Sequence, residues 1–66
     1  MMIHLNGEPH TIPEGLTVSG LLEKLDVHPQ RVAVEVNLNI VPKAAFGGHV
    51  LREGDAVEIV NFVGGG

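Results

Sequence analysis

The residues with the clearest chemical potential stand at the end of the sequence, where Gly64, Gly65 and Gly66 follow the apolar run "EIVNFV". Glycines bring no side-chain chemistry, so the reactive group there is the C-terminal carboxylate. It is ionised at neutral pH, with a pKa of about 3.5, and is a poor electrophile. Joined to AMP at the expense of ATP, it would become a mixed anhydride with a good leaving group. A sulfur donor would then convert it to a thiocarboxylate, and an amine would convert it to an amide. No nearby side chain supplies these steps, so the chain would be a substrate for such chemistry and not its catalyst. Lacking a Cβ, glycine can thread a narrow channel and take up φ values closed to other residues. Three residues reach at most about 10 Å beyond Val63. That sets the carboxylate in a partner's crevice while the body stays outside. Ordering them costs about 1–2 kcal/mol each, so affinity has to come from the body. An ordinary loose end is the other reading of the same glycines.

The remaining polar residues offer less. His4, His10, His28 and His49 include no pair at the helical i, i+4 spacing of a zinc motif. The spacing lets His4 and His10 meet across a hairpin, but two ligands without cysteine make a poor metal site, and none is expected. Glu53 and Asp55 flank Gly54 and read as turn chemistry. Glu35 and Glu58 fall on outward strand positions, where they are solvated or pair with a partner's cations. Gly47 and Gly48 form a loop; no glycine-rich turn with lysine opens a helix to cradle phosphate.

These groups have to be positioned by a small body. The 66 residues allow one domain, read as residues 1–63 with 64–66 as a glycine tail. A chain of this length buries only about 60% of its unfolded surface, so the core is thin. Cysteine is absent, which excludes disulfides as props. Apolar residues at 44% and charged ones at 18% describe a folded globule. The apolar runs are too short to span a membrane and no secretory signal opens the chain, so cytoplasmic residence is expected. The doubled methionine leaves either Met1 or Met2 as the native start. The formal charge is −4, and Lys24, Arg31, Lys43 and Arg52 are scattered. With Phe46 and Phe62 the only aromatics, nucleic-acid binding is disfavoured. An acidic protein is better matched to a basic protein surface.

Alternation in "MIHL" around Asn6-Gly7 predicts a hairpin with a type I′ turn, its return strand running from about Glu8 to Ile12. Pro9 makes that return strand an edge. Thr17 is placed to cap a helix in which Val18, Leu21, Leu22 and Leu25 form one apolar stripe. Gly20 lies off the stripe and costs about 1 kcal/mol relative to alanine. Such a helix is too short to stand alone and must lie on a sheet. "RVAVEVN" is a strand with Val32, Val34 and Val36 inward. Ile40-Val41 is a short apolar pair beyond two turn-forming asparagines. Val50-Leu51 suggests a further short strand. After the turn at residues 53–55 comes the last strand, with Val57 and Ile59 inward. The first and last strands are the most apolar and belong in the middle of a mixed sheet. Glu58, Val60 and Phe62 then face away from the helix. Val60 and Phe62 are either ordinary exposed apolar surface or a docking patch beside the tail.

The segments "IHLNGEPH", "TVSGLLEKLDV", "VAVEVNLNIVPKAAF" and "LREGDAVEIVNFVGGG", in this order and across nearly the whole chain, resemble the ThiS family of sulfur carriers in thiamine biosynthesis. The resemblance implies an α+β fold of the ubiquitin-like β-grasp type, a mixed sheet of four to five strands with one helix across one face. It implies that the chain is no enzyme and binds no cofactor. An adenylyltransferase related to ubiquitin-activating enzymes (ThiF type) would use ATP to adenylate Gly66. A sulfur donor system would make the thiocarboxylate, and thiazole synthase (ThiG type) would take the sulfur. Gly65 and Gly64 match the family's tail, and Phe62 and Val63 match its apolar approach to the partners, beside Val60 on the outward face of the last strand. Three alternatives stay open on the residues: the small subunit of molybdopterin synthase, a ubiquitin-like protein modifier, and a β-grasp binding module without terminal chemistry.

Overall fold

The structure, a computed structural model, describes residues 1–62. The expectations for Val63 and for the tail Gly64, Gly65 and Gly66 therefore lie outside the described residues. Among the described residues, five strands and one α-helix follow one another, β1 (Met2–Leu5), β2 (Glu8–Thr11), α1 (Val18–Lys24), β3 (Val32–Val36), β4 (Asn39–Val41) and β5 (Ala56–Asn61), with short 3-10 helices at Pro29–Arg31 and Lys43–Ala45. The strands form one mixed sheet in the order β2-β1-β5-β3-β4. Only the β1–β5 pairing is parallel among these neighbours. The sheet with one helix on one face is the β-grasp arrangement expected above, and β2 is an edge, as Pro9 requires.

Both hairpins are closed by two-residue turns with positive φ. Asn6 and Gly7 (φ 49° and 84°) join β1 to β2, and Asn37 and Leu38 (φ 52° and 71°) join β3 to β4. The first uses the residue pair that such turns favour. The second places a leucine, 87% exposed, in the left-handed region where a Cβ is strained. The first hairpin is lengthened beyond its strands by Met1, whose amino group and carbonyl both bond Ile12.

Helix α1 starts as its sequence predicts. Thr17 is extended, and its Oγ1 accepts from Gly20 N at 3.1 Å. The helix ends with a reciprocal pair of bonds, Asp26 N to Glu23 O and Val27 N to Leu22 O, with Asp26 at φ 57°. That is a Schellman closure with aspartate in the position glycine usually holds. Val18, Leu21 and Leu22 are fully buried, while Leu25 at the C-cap is only partly so. They meet Ile3, Val32, Val34, Val36 and Val57 from the sheet, and Ile12, Val41, Phe46 and Leu51 close the edges of the core. Gly20 is less free than its off-stripe position implied. A Cβ there would lie 2.7 Å from Cδ1 of Leu16, which folds back over the first turn.

Two expectations are corrected. Val50-Leu51 is not a strand of the sheet. Val50 makes an isolated bridge to Thr17, and Leu51 N donates to Leu16 O at 2.8 Å. This segment satisfies the backbone around the start of α1, while Leu51 fills the core and Val50 stays 47% exposed. His4 and His10 do not meet. The register pairs His4 with Pro9 and Ile3 with His10, which puts the two histidines on opposite faces. No helix among the described residues is long and apolar enough to cross a membrane.

Candidate functional site: the uncovered sheet face and the approach to the tail

The helix covers one face of the sheet. The other is built by the alternate residues of each strand, and nothing in the described chain lies over its centre. On β5, Val57 is fully buried and Ile59 partly so, whereas Val60 is 60% exposed. Val60 stands opposite Ala33, whose methyl is too small to shield it. Glu58 stands directly opposite Glu35, and Glu35 opposite Ile40, so these three make one cross-strand row. Ile40 is 71% exposed. An apolar, partly acidic face thus runs from β5 to β4, and Val60 belongs to it as expected.

Phe62 is held more firmly than its exposure suggests. Its N–H donates to Arg31 O at 2.9 Å, which carries the β3–β5 ladder one step past β5. Nζ of Lys43 sits 4.7 Å from the ring centroid and also donates to Val32 O at 3.2 Å. Phe62 remains 48% exposed. Phe62 is the last described residue, and Val63 and the glycines follow it in the sequence. Sequence reading placed Phe62 outward but missed Lys43, which is distant along the chain and reaches the ring only through the register of β4 on β3.

The acidic turn does more than turn. Asp55 is buried; its Oδ1 accepts from Asn37 Nδ2 at 3.0 Å and its Oδ2 from Arg52 N at 2.8 Å. Asn37 Oδ1 accepts from Ala56 N at 3.0 Å, closing a clamp between the β3–β4 turn and the start of β5. Glu53 accepts from Met2 N. These two are the carboxylates that accept hydrogen bonds among the described residues. Every buried side-chain polar atom among those residues has a partner. No cluster of three metal-ligating side chains occurs there either. His28 uses Nδ1 to accept from Gln30 N in its loop. A cleft of about 430 Å³ lies between the end of α1 and Pro29, and its acidic residues Glu23 and Asp26 are exposed. The described body holds a clamp and an exposed, partly apolar sheet face.

Known proteins share this sequence and this fold. The chain is 50% identical to a thiazole synthase of Magnetococcus marinus over 66 residues, all of this chain and 20% of that protein. It thus spans about a fifth of the length of such relatives; a second is the thiazole synthase of Paramagnetospirillum magneticum, at 44% identity. The sulfur carrier protein ThiS of Escherichia coli is 32% identical over the full length of both chains. The crystal structure of the thiamine biosynthesis protein ThiS from Geobacter metallireducens superposes with a TM-score of 0.87 at 39% identity, covering both chains completely. Residues 3–66 match the ThiS family as a whole, from the first strand through the glycines. With that span matched and the β-grasp sheet in place, the chain belongs to the ThiS family.

Proposed function

We propose that this chain is a sulfur carrier for thiamine biosynthesis, with the C-terminal carboxylate of Gly66 as the working group. The carboxylate attacks the α-phosphorus of ATP in an adenylyltransferase of the ThiF type, and pyrophosphate leaves. A sulfur nucleophile at the sulfide level then attacks the acyl carbon, AMP leaves, and the terminus becomes a thiocarboxylate. Thiazole synthase accepts the sulfur for the thiazole ring. The chain contributes no catalyst: Gly64 and Gly65 let the end thread into each partner, and the face around Val60, Phe62 and Val63 supplies the affinity that a tail costly to order lacks. These reactions belong to the cytoplasm, where ATP and the enzymes reside.

The observation that carries this reading is the end-to-end match with the Escherichia coli sulfur carrier, together with exposed Val60 and Phe62 at the approach to the glycines. The test is intact-mass spectrometry after incubation with the host's adenylyltransferase, ATP and a sulfide source. The protein should gain the mass difference between sulfur and oxygen, and removal of Gly66 should abolish the gain. An unchanged mass for the full-length chain overturns the reading. In cells, deletion of the gene should be rescued by thiazole; a loss of molybdenum enzymes instead would mean a pterin acceptor.

A further inference from the structure

Of the four basic side chains, Lys43 is the one that makes a hydrogen bond or a ring contact among the described residues. Its backbone is fixed first. The 3-10 helix Lys43–Ala45 is closed by Ala45 N to Pro42 O at 2.8 Å and Phe46 N to Lys43 O at 3.1 Å. Phe46 is buried in the core, and its carbonyl accepts from Ser19 N of α1 at 2.9 Å. The lysine stem therefore starts from a point tied to both the core and the helix.

The ammonium then joins two strand ends. Alternation in the antiparallel β3–β5 ladder turns the Val32 carbonyl away from β5, towards the line of β4. But β4 stops at Val41, opposite Val34, so no backbone donor of that strand reaches Val32. Lys43 Nζ supplies the donor at 3.2 Å, and the same atom lies 4.7 Å from the centre of the Phe62 ring. Phe62 stands one residue past β5, and its N–H to Arg31 O is the last bond of the ladder among the described residues. One side chain thus holds the end of β5 to the start of β3.

Resting on the sulfur-carrier reading, we propose that Lys43 is a positioning residue for the terminal carboxylate. It acts through Phe62: by holding the ring, it fixes the residue from which 63–66 run to the reacting group. A Phe62 already in place does not have to be ordered when the adenylyltransferase takes the chain. The gain is bounded by the contact itself. A cation over an exposed ring is a weak attraction, so its loss should raise KM only about two- to fivefold. The turnover number stays, because Phe62 is in place in the bound complex with or without the ammonium.

The experiment measures adenylation of the full chain by the host's adenylyltransferase, as pyrophosphate release against chain concentration, alongside thermal melts and proton NMR of the free protein. Lys43→Met should raise KM about two- to fivefold with kcat unchanged, and melt close to wild type. Lys43→Arg keeps the cation and the donor and should restore the wild-type KM. In a Phe62→Leu background Lys43→Met should have no further effect, because the ring through which it acts is gone. In the free protein the methylene beside the Lys43 ammonium should resonate upfield of its counterpart in exposed Lys24, and lose that shift in Phe62→Leu. An unchanged KM for Lys43→Met overturns this inference and leaves the carrier chemistry standing. The same rise in KM in the Phe62→Leu background also overturns it, since the ammonium would then act on the enzyme directly. So does a Lys43 methylene without the ring shift. A Lys43→Met chain that melts far below wild type would make the lysine a prop of the fold and overturn it too. A wild-type chain that is never adenylated overturns the carrier reading itself, and this inference with it.

Discussion

Asp55 shows how much one carboxylate can hold in a thin core. It joins the Arg52 backbone to Asn37, and Asn37 in turn holds Ala56. Asp55→Ala leaves those donors without partners in a partly buried place, a loss of about 1–3 kcal/mol by urea denaturation. Glu53→Ala, which gives up one exposed bond to Met2 N, should cost less than about 1 kcal/mol. Leu38 is the opposite case. It carries left-handed backbone strain and is almost wholly exposed, so its side chain contributes no packing to offset that strain. Leu38→Gly turns the second hairpin into the Asn-Gly pair of the first. It should stabilise the protein by about 0.5–1 kcal/mol. For a domain of this size that is a rise in Tm of several degrees, readable by calorimetry.

The elements are short and depend on their ends. Helix α1 has seven residues, so its caps are a large share of its stability. Thr17→Ala removes the bond from Gly20 N and should cost about 1 kcal/mol, measured as a shift in the urea midpoint. Gly20→Ala tests packing against propensity. An alanine gains about 1 kcal/mol in an exposed helix interior, but here it must displace the end of Leu16. The net effect should fall well short of that gain. The histidines likewise depend on how an element ends. Their spacing permitted an encounter, but a two-residue turn fixes a register in which His4 and His10 point apart.

The domain has one covered face and one bare face, because a single helix lies on a five-stranded sheet. The bare face extends to Phe62, the last described residue, and the consequences for the proposed partners concentrate there. Phe62→Ala removes the ring over Lys43, a contact worth about 0.5–1 kcal/mol where exposed, and leaves the backbone bond to Arg31 O in place. Melting should change little, while capture by the adenylyltransferase should weaken severalfold in a pull-down titration. An unfolded variant would mean that the ring is core and not docking surface. Because Gly66 is the working group in the proposed chemistry, a chain extended beyond it and never trimmed should fold normally yet fail to restore growth without thiazole.

Local patterns were enough for the first hairpin with its Asn-Gly turn, the capped helix, the strands around Val34 and Val57, and the outward position of Val60 and Phe62. Each depends on neighbours a few residues apart, where periodicity and turn preference act. Facing residues depend instead on which strands pair and in which register, set by core packing among segments far apart in the chain. That is why tertiary structure alone put Glu35 against Glu58, Lys43 over the Phe62 ring and Asp55 beneath the Asn37 turn, and drew Val50 out of the sheet to bridge Thr17.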